Sequence, residues 1–200
     1  MQSVLRHWFN LGVVVAGVAF IFLLYEWSGM GFLQRVLLAN FIIQLIQQYE
    51  EYGWFGREQA MKDMVLRSSA DSPLIAKSTV LFNLFAAYVF YLGPVFFPDV
   101  IWLGLAPVLF GFTRFVIRVM TSGKLSAIHP RGQAALVYGH VPIGVLYLYY
   151  IHAHHLVSVW DWTFALSYML GCQYIALVRV ICEWLTDKNS PYPFSDDWNA

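Results

Sequence analysis

The stretch Asn40-Phe-Ile-Ile-Gln-Leu-Ile-Gln-Gln-Tyr-Glu50-Glu51 places polar side chains at regular intervals within an apolar segment. Four of them recur at i, i+4, i+7 and i+11, and so lie on one face of a helix: Asn40, Gln44, Gln47 and Glu51. Polar groups on an otherwise apolar helix are costly to bury unless they meet protein groups or water. The stretch therefore predicts a helix whose polar face points into a helical bundle, and its acidic end is the first candidate for function.

The composition of the chain is strongly apolar. Of its 200 residues, 59% are hydrophobic, 18% are aromatic and only 12% are charged, whereas soluble chains carry about 25% charged residues. The formal net charge of +0 gives no electrostatic basis for binding nucleic acid. The composition predicts an integral membrane protein that has the lipid bilayer, and no nucleic acid, as a partner.

Apolar segments recur along the whole chain without an internal repeat or a linker. Several approach the roughly 20 residues that a helix needs to cross a bilayer, and six can be placed, at 9–26, 30–49, 78–97, 99–120, 134–153 and 160–184. These segments predict an all-α fold, a polytopic transmembrane helical bundle of about six spans that forms one membrane-embedded domain over residues 1–200.

Basic residues collect on one side of this predicted bundle. With six spans, the side that holds both termini carries Arg6, Arg57, Lys62, Arg67, Lys77, Lys124, Arg131 and Lys188. Positively charged loops stay in the cytoplasm. The predicted localisation is therefore multi-pass in a membrane, with the N and C termini cytoplasmic.

The adjacent acids Glu50 and Glu51 have two interpretations. Two close carboxylates raise each other's proton affinity, and they can act as acid and base or bind a hard cation. Alternatively, both simply end the helix at an interface. A glutamate at a helix C-terminus opposes the macrodipole, and a placement unfavourable for stability favours a function.

Two arginines provide opposite charge for these acids. Arg114 and Arg118 are spaced i, i+4 in the fourth segment, where they can reach toward an interface or pair with acids inside the bundle. We predict a polar network of Glu51, Arg114 and Gln47; the alternative is a simple ion pair that joins two helices.

The histidines are candidates for acid–base or metal chemistry. His140 lies within the fifth apolar segment. A lone buried histidine is usually a hydrogen-bonded packing residue, but a proton relay or a metal site becomes possible where it faces Glu50 or Glu51. His152 and His155 share a helix face, and such pairs can hold zinc or copper; histidines that bind nothing are the alternative. The sequence does not name a cofactor.

Three short motifs resemble one known family. They are Gln47-Gln-Tyr-Glu50-Glu51-Tyr-Gly-Trp-Phe-Gly, Ile128-His129-Pro130-Arg131-Gly132-Gln133 and Ser190-Pro-Tyr-Pro-Phe194. Together they resemble the HXXEE-domain integral membrane proteins, which implies a membrane location and a bundle architecture.

The chain departs from this family at its histidines. Gln47 stands where the family motif has its histidine, His129 stands where the family has asparagine, and Arg114 and Arg118 stand where the family tends to have a histidine. The resemblance implies that this member keeps the acids and lacks the matched histidines. Glutamine cannot replace imidazole as a base and is a poor ligand for zinc or iron.

Two main hypotheses for function follow. The first is a non-catalytic membrane subunit or an apolar-ligand-binding protein with a Glu/Arg/Gln polar centre. The alternative is an intramembrane enzyme, dependent on a metal or on acid–base chemistry, that acts on a lipid-like substrate through Glu50, Glu51 and His140. A proton-coupled transporter is a weaker third hypothesis, because such proteins usually contain a repeat.

Overall fold

The computed structural model describes residues 8–51, 83–122 and 134–174 of the chain, and all regular structure in these ranges is helical. The α-helices are α1 (Trp8–Tyr25), α2 (Phe32–Tyr49), α3 (Gly93–Phe96), α4 (Ile101–Ser122), α5 (Val141–Ala153) and α6 (Val159–Tyr174). Two π-helical turns occur as well, at Ala86–Tyr91 and Ala135–His140. The predicted all-α helical bundle is confirmed for these ranges.

Helix α2 lies at the centre of the bundle. It begins after Gly31, whose backbone is extended, and its last residue is Tyr49, which Glu50 follows as the C-cap. It packs against α1, α3, α5 and both π-helical turns, while α4 packs against α5 and α6. Its apolar face is fully buried through Leu37, Phe41 and Leu45, which explains why this helix is central.

The core continues from α2 into α4 and α5. Leu105, Tyr147 and Ile151 are inaccessible to solvent. The Tyr147 hydroxyl donates a hydrogen bond of 3.1 Å to the backbone carbonyl oxygen of Ile101, so that this buried polar group is paired. The bond joins α5 to the first turn of α4 and orients the helices that carry the site.

The π-helical turns interrupt two of the predicted apolar segments. Segment 78–97 is described from residue 83 and contains the turn Ala86–Tyr91 followed by the short α3. Segment 134–153 is divided between the turn Ala135–His140 and α5. Such turns often mark functional sites, and both adjoin the polar face of α2.

The predicted membrane topology requires a correction. Within residues 8–51, 83–122 and 134–174, no helix combines the length and the apolar character that crossing a bilayer demands. This finding contradicts the predicted multi-pass localisation with cytoplasmic termini. An apolar run crosses a bilayer only where it forms one uninterrupted helix of sufficient length. Overall composition does not show where such a run is divided between helices, or that α2 has a polar face.

Candidate functional site

The polar face of α2 is buried in the bundle. Asn40, Gln44, Gln47 and Gln48 are each at most 2% exposed. The Gln48 side chain donates a hydrogen bond of 2.8 Å to the carbonyl oxygen of Asn83, just before the first π-helical turn. A helix with this many buried amides needs partners from neighbouring elements, and these partners define the candidate site.

Asn40 pairs with His140, which lies 100 positions later in the chain. Asn40 Oδ1 and His140 Nδ1 are 2.7 Å apart. Because a carbonyl oxygen can only accept, Nδ1 carries the proton and donates it, which leaves the lone pair of a neutral imidazole on Nε2. Burial, together with the nearby charge of Arg114, lowers the pKa of His140 to about 3. The imidazole is therefore neutral and is held in one tautomer.

Glu51 lies in an ion pair at the end of this polar face. Arg114 Nη2 donates to Glu51 Oε1 over 2.6 Å, and Gln47 Nε2 donates to the same oxygen over 3.1 Å. The side chains of Arg114 and Glu51 are 28% and 15% exposed. The structure thus brings together the three residues of the predicted network and connects α2 to α4.

Glu50 has a different partner from its neighbour. Its Oε2 accepts a hydrogen bond of 3.1 Å from the backbone N–H of Ala135, at the start of the second π-helical turn. The first N–H groups of a helix lack partners within the helix, and a carboxylate satisfies one of them. Burial raises the pKa of Glu50, the Ala135 N–H opposes this rise, and the charge of Glu51 adds to it. The two acids therefore act on separate elements.

Tyr91 also belongs to the site, and no sequence pattern predicts it. Its ring centroid lies 5.4 Å from that of His140, and burial raises the pKa of its hydroxyl group. The charges of Arg114 and Glu51 also act on this hydroxyl, with opposite signs. No sequence signal distinguishes Tyr91 from the other tyrosines of its aromatic-rich segment, because only the packing of the π-helical turn brings it to His140.

The remaining predicted site residues lie away from this site or outside the described residues. His152 is exposed, and its Nδ1 is 3.0 Å from the Leu148 carbonyl oxygen of its own helix. His155 follows α5 with a φ of 53°. The side chain of Arg118 and all of His129 lie outside the described residues. Among residues 8–51, 83–122 and 134–174, no group of three or more His, Cys, Asp or Glu side chains is arranged to hold a metal ion.

No family model, curated protein or solved structure matches this chain. The resemblance to the HXXEE-domain proteins stays a prediction.

Removing either partner of the Glu51–Arg114 pair should destabilise the fold. We expect Arg114→Gln and Glu51→Gln each to lower the free energy of unfolding by about 1–2 kcal/mol, because each removes one charge of a partly buried ion pair. The double variant should cost about 1 kcal/mol less than the sum of the two single changes. Chemical denaturation of the four chains, followed by circular dichroism, measures this coupling.

Arg35→Gln is the matched control for the loss of an arginine. The Arg35 guanidinium group lies 4.9 Å from the centroid of the Trp27 ring, near the opposite end of α2 from Glu51. The effects of Arg35→Gln and Glu51→Gln on the free energy of unfolding should therefore be additive. Strictly additive effects of Arg114→Gln and Glu51→Gln would contradict the ion pair as a stabilising contact.

Proposed function

We propose that this protein is a non-catalytic binder of an apolar ligand, and that Glu51, Arg114 and Gln47 form the structural polar centre beside its binding site. The observation that carries this proposal is the position of the polar centre against a continuous aromatic cluster. Apolar ligands bind where aromatic side chains line a site that a few polar groups orient. Both components occur here.

The aromatic cluster spans several elements of the bundle. The Phe90 ring lies 5.7 Å from that of Phe110 and 5.4 Å from that of Tyr168, and the Tyr91 ring lies 6.4 Å from that of Phe110. The Arg114 guanidinium group is 5.7 Å from the centroid of the Phe110 ring. Phe110 therefore touches both the aromatic cluster and the polar centre, which supports one site with an apolar and a polar part.

The partners of the acids weigh against the enzyme hypothesis. Glu51 is engaged by Arg114 and Gln47, and Glu50 caps the turn at Ala135. The hydrogen bond of His140 Nδ1 goes to Asn40, and Nε2 has no partner among the described residues. A general base must come within hydrogen-bonding reach of the group that it serves. Here the imidazole and the two carboxylates form hydrogen bonds with different partners.

Titration with the fluorescent apolar probe N-phenylnaphthylamine tests the proposal. We expect saturable binding with about one probe per chain, and Phe110→Leu should weaken it about fivefold, because an aromatic contact contributes about 1 kcal/mol. Binding that does not saturate, or that is unchanged in Phe110→Leu, would overturn the proposal.

The control for this titration removes exposed apolar side chains far from the aromatic cluster. Val18 and Ile21 on α1 are 63% and 67% exposed, and a probe that adheres to exposed surface would respond to Val18→Ser with Ile21→Ser. We expect this double variant to leave the affinity of the saturable site unchanged. A loss equal to or greater than that in Phe110→Leu would place the probe on the surface instead.

A further inference from the structure

Apart from Arg35 Nε, near the start of α2, five buried side-chain polar atoms have no hydrogen-bond partner among residues 8–51, 83–122 and 134–174. These atoms are Asn40 Nδ2, Gln44 Oε1, Gln47 Oε1, Tyr91 Oη and His140 Nε2. Each of the five residues is at most 4% exposed. Buried polar atoms are nearly always hydrogen-bonded, and leaving one unpaired is unfavourable. Five such atoms in one part of the bundle point to a bound polar group that pairs with at least one of them.

The five atoms belong to one region of the bundle. Asn40 and His140 are in direct contact, and the Tyr91 ring is adjacent to His140. Gln44 and Gln47 follow Asn40 one and two turns later on the same face of α2. The five atoms therefore lie along one buried strip of the bundle, formed by α2 and the two π-helical turns, and Tyr91 joins this strip to the aromatic cluster.

The hydrogen-bonding capacity of this region is mostly that of an acceptor. The glutamine oxygens accept, and His140 Nε2 accepts because Nδ1 carries the proton. Asn40 Nδ2 only donates, and the Tyr91 hydroxyl can do either. A ligand hydroxyl supplies one proton to these acceptors, whereas an ether oxygen, which only accepts, leaves all three of them unpaired.

The charges around the region favour a neutral group. The positive charge of Arg114 already disfavours a second cation at His140, and its partner Glu51 disfavours an anion. Of the five atoms, only those of Asn40 and Tyr91 could donate to a carboxylate there. An ionised ligand group would thus be desolvated without adequate compensation.

We propose that the polar end of the apolar ligand is an uncharged alcohol, whose hydroxyl donates to His140 Nε2. This inference rests on the proposed function and specifies the chemical class of the ligand. The apolar remainder of the ligand lies against the aromatic cluster around Phe90 and Phe110.

Four probes with the same alkyl chain test the inference: decanol, decyl methyl ether, decanoate and decylamine. Displacement of N-phenylnaphthylamine from the purified chain near neutral pH measures their affinities. We expect decanol to bind about tenfold more tightly than the ether, since the ether lacks the donor and leaves His140 Nε2 unpaired. Decanoate and decylamine should bind more weakly than decanol because both are charged.

The outcomes separate this inference from the proposed function. Equal affinities for decanol and the ether would overturn the alcohol assignment, as would tightest binding of decanoate or decylamine, yet either result would keep an apolar ligand. Saturable binding of none of the probes would overturn both proposals and would indicate that water alone satisfies the five polar atoms.

Variants locate the contact within the site. In His140→Phe, the advantage of decanol over the ether should fall from about tenfold to about twofold or less, while affinity for the ether stays the same. Gln44→Met removes a neighbouring acceptor that receives no proton in this assignment, so the advantage of decanol should stay near tenfold. Thr163→Val, which changes an exposed side chain on α6, should leave it unchanged. A decanol advantage that persists in a folded His140→Phe chain would contradict the assigned contact.

Discussion

Replacing Gly139 by alanine is expected to lower the free energy of unfolding by about 2 kcal/mol. Gly139 is buried in the second π-helical turn, and a Cβ atom added there would overlap Cγ2 of Ile43 and lie 3.0 Å from its Cδ1. Ile43 is β-branched, so its Cγ2 cannot move away without a change of rotamer. The new methyl group must therefore push the turn away from α2, and with it the Asn40–His140 contact.

Gly17→Ala is the matched control and should have the opposite sign. Gly17 lies within α1, and a Cβ atom added there would meet open space, so alanine should stabilise this helix by about 0.5–1 kcal/mol through its higher helix propensity. In a chain that carries Gly139→Ala, the further change Ile43→Ala should cost less than it does alone, because it removes the overlapping atoms. Equal effects of alanine at positions 17 and 139 in denaturant unfolding would contradict the close packing of α2 against the turn.

Acidification from pH 7 to pH 5 is expected to remove about 2 kcal/mol of folding stability through His140. Burial and the charge of Arg114 lower the pKa of this imidazole from 6.5 to about 3. Between these values the unfolded chain binds a proton that the folded chain excludes. The folding stability that depends on a neutral His140 is therefore fully present above pH 6.5 and is lost progressively as the pH falls toward 3.

Glu50 changes the folding stability with pH in the opposite direction, so its effect must be eliminated before that of His140 is measured. Burial raises its pKa in the folded chain, so its contribution is present below pH 4.5 and is lost as the pH rises through the folded value. Denaturant unfolding should accordingly be compared between pH 5 and 7 in a Glu50→Gln background, with and without His140→Leu. The pH dependence should be much smaller in the chain that lacks His140; an undiminished slope would show that another group causes it.

The recurrence of polar residues along α2 made the buried face predictable. The helical spacing of four polar residues shows that they share a face: Asn40, Gln44, Gln47 and Glu51. The residues between them are apolar, and polar side chains are costly to bury against apolar groups without hydrogen-bond partners. Charge complementarity also pointed to Arg114 as a partner for Glu51, and the two are in contact. Local periodicity and opposite charge are properties that a sequence displays directly.

The other contacts of the site could not be predicted in this way. His140 and Asn40 are 100 residues apart, and the sequence left open whether the imidazole meets the acids or another group. Three contacts depend on the two π-helical turns. They are the hydrogen bond between His140 and Asn40, the hydrogen bond from the Ala135 N–H to Glu50, and the packing of Tyr91 against His140. These turns have no signature in the apolar segments that contain them, and they also divide two of the runs that composition joined into membrane spans.

By itself, the sequence determined that this chain is helical and that α2 has a polar face ending in two acids, because helical periodicity and residue polarity are local. Tertiary structure alone decided the chemical state of these groups. Packing neutralises His140 by burial and directs its proton to Asn40, and it assigns Glu51 to Arg114 and Glu50 to a backbone N–H. A side chain's desolvation and hydrogen-bond partners arise from elements far apart in the chain, which is the physical reason that only the folded bundle distinguishes them.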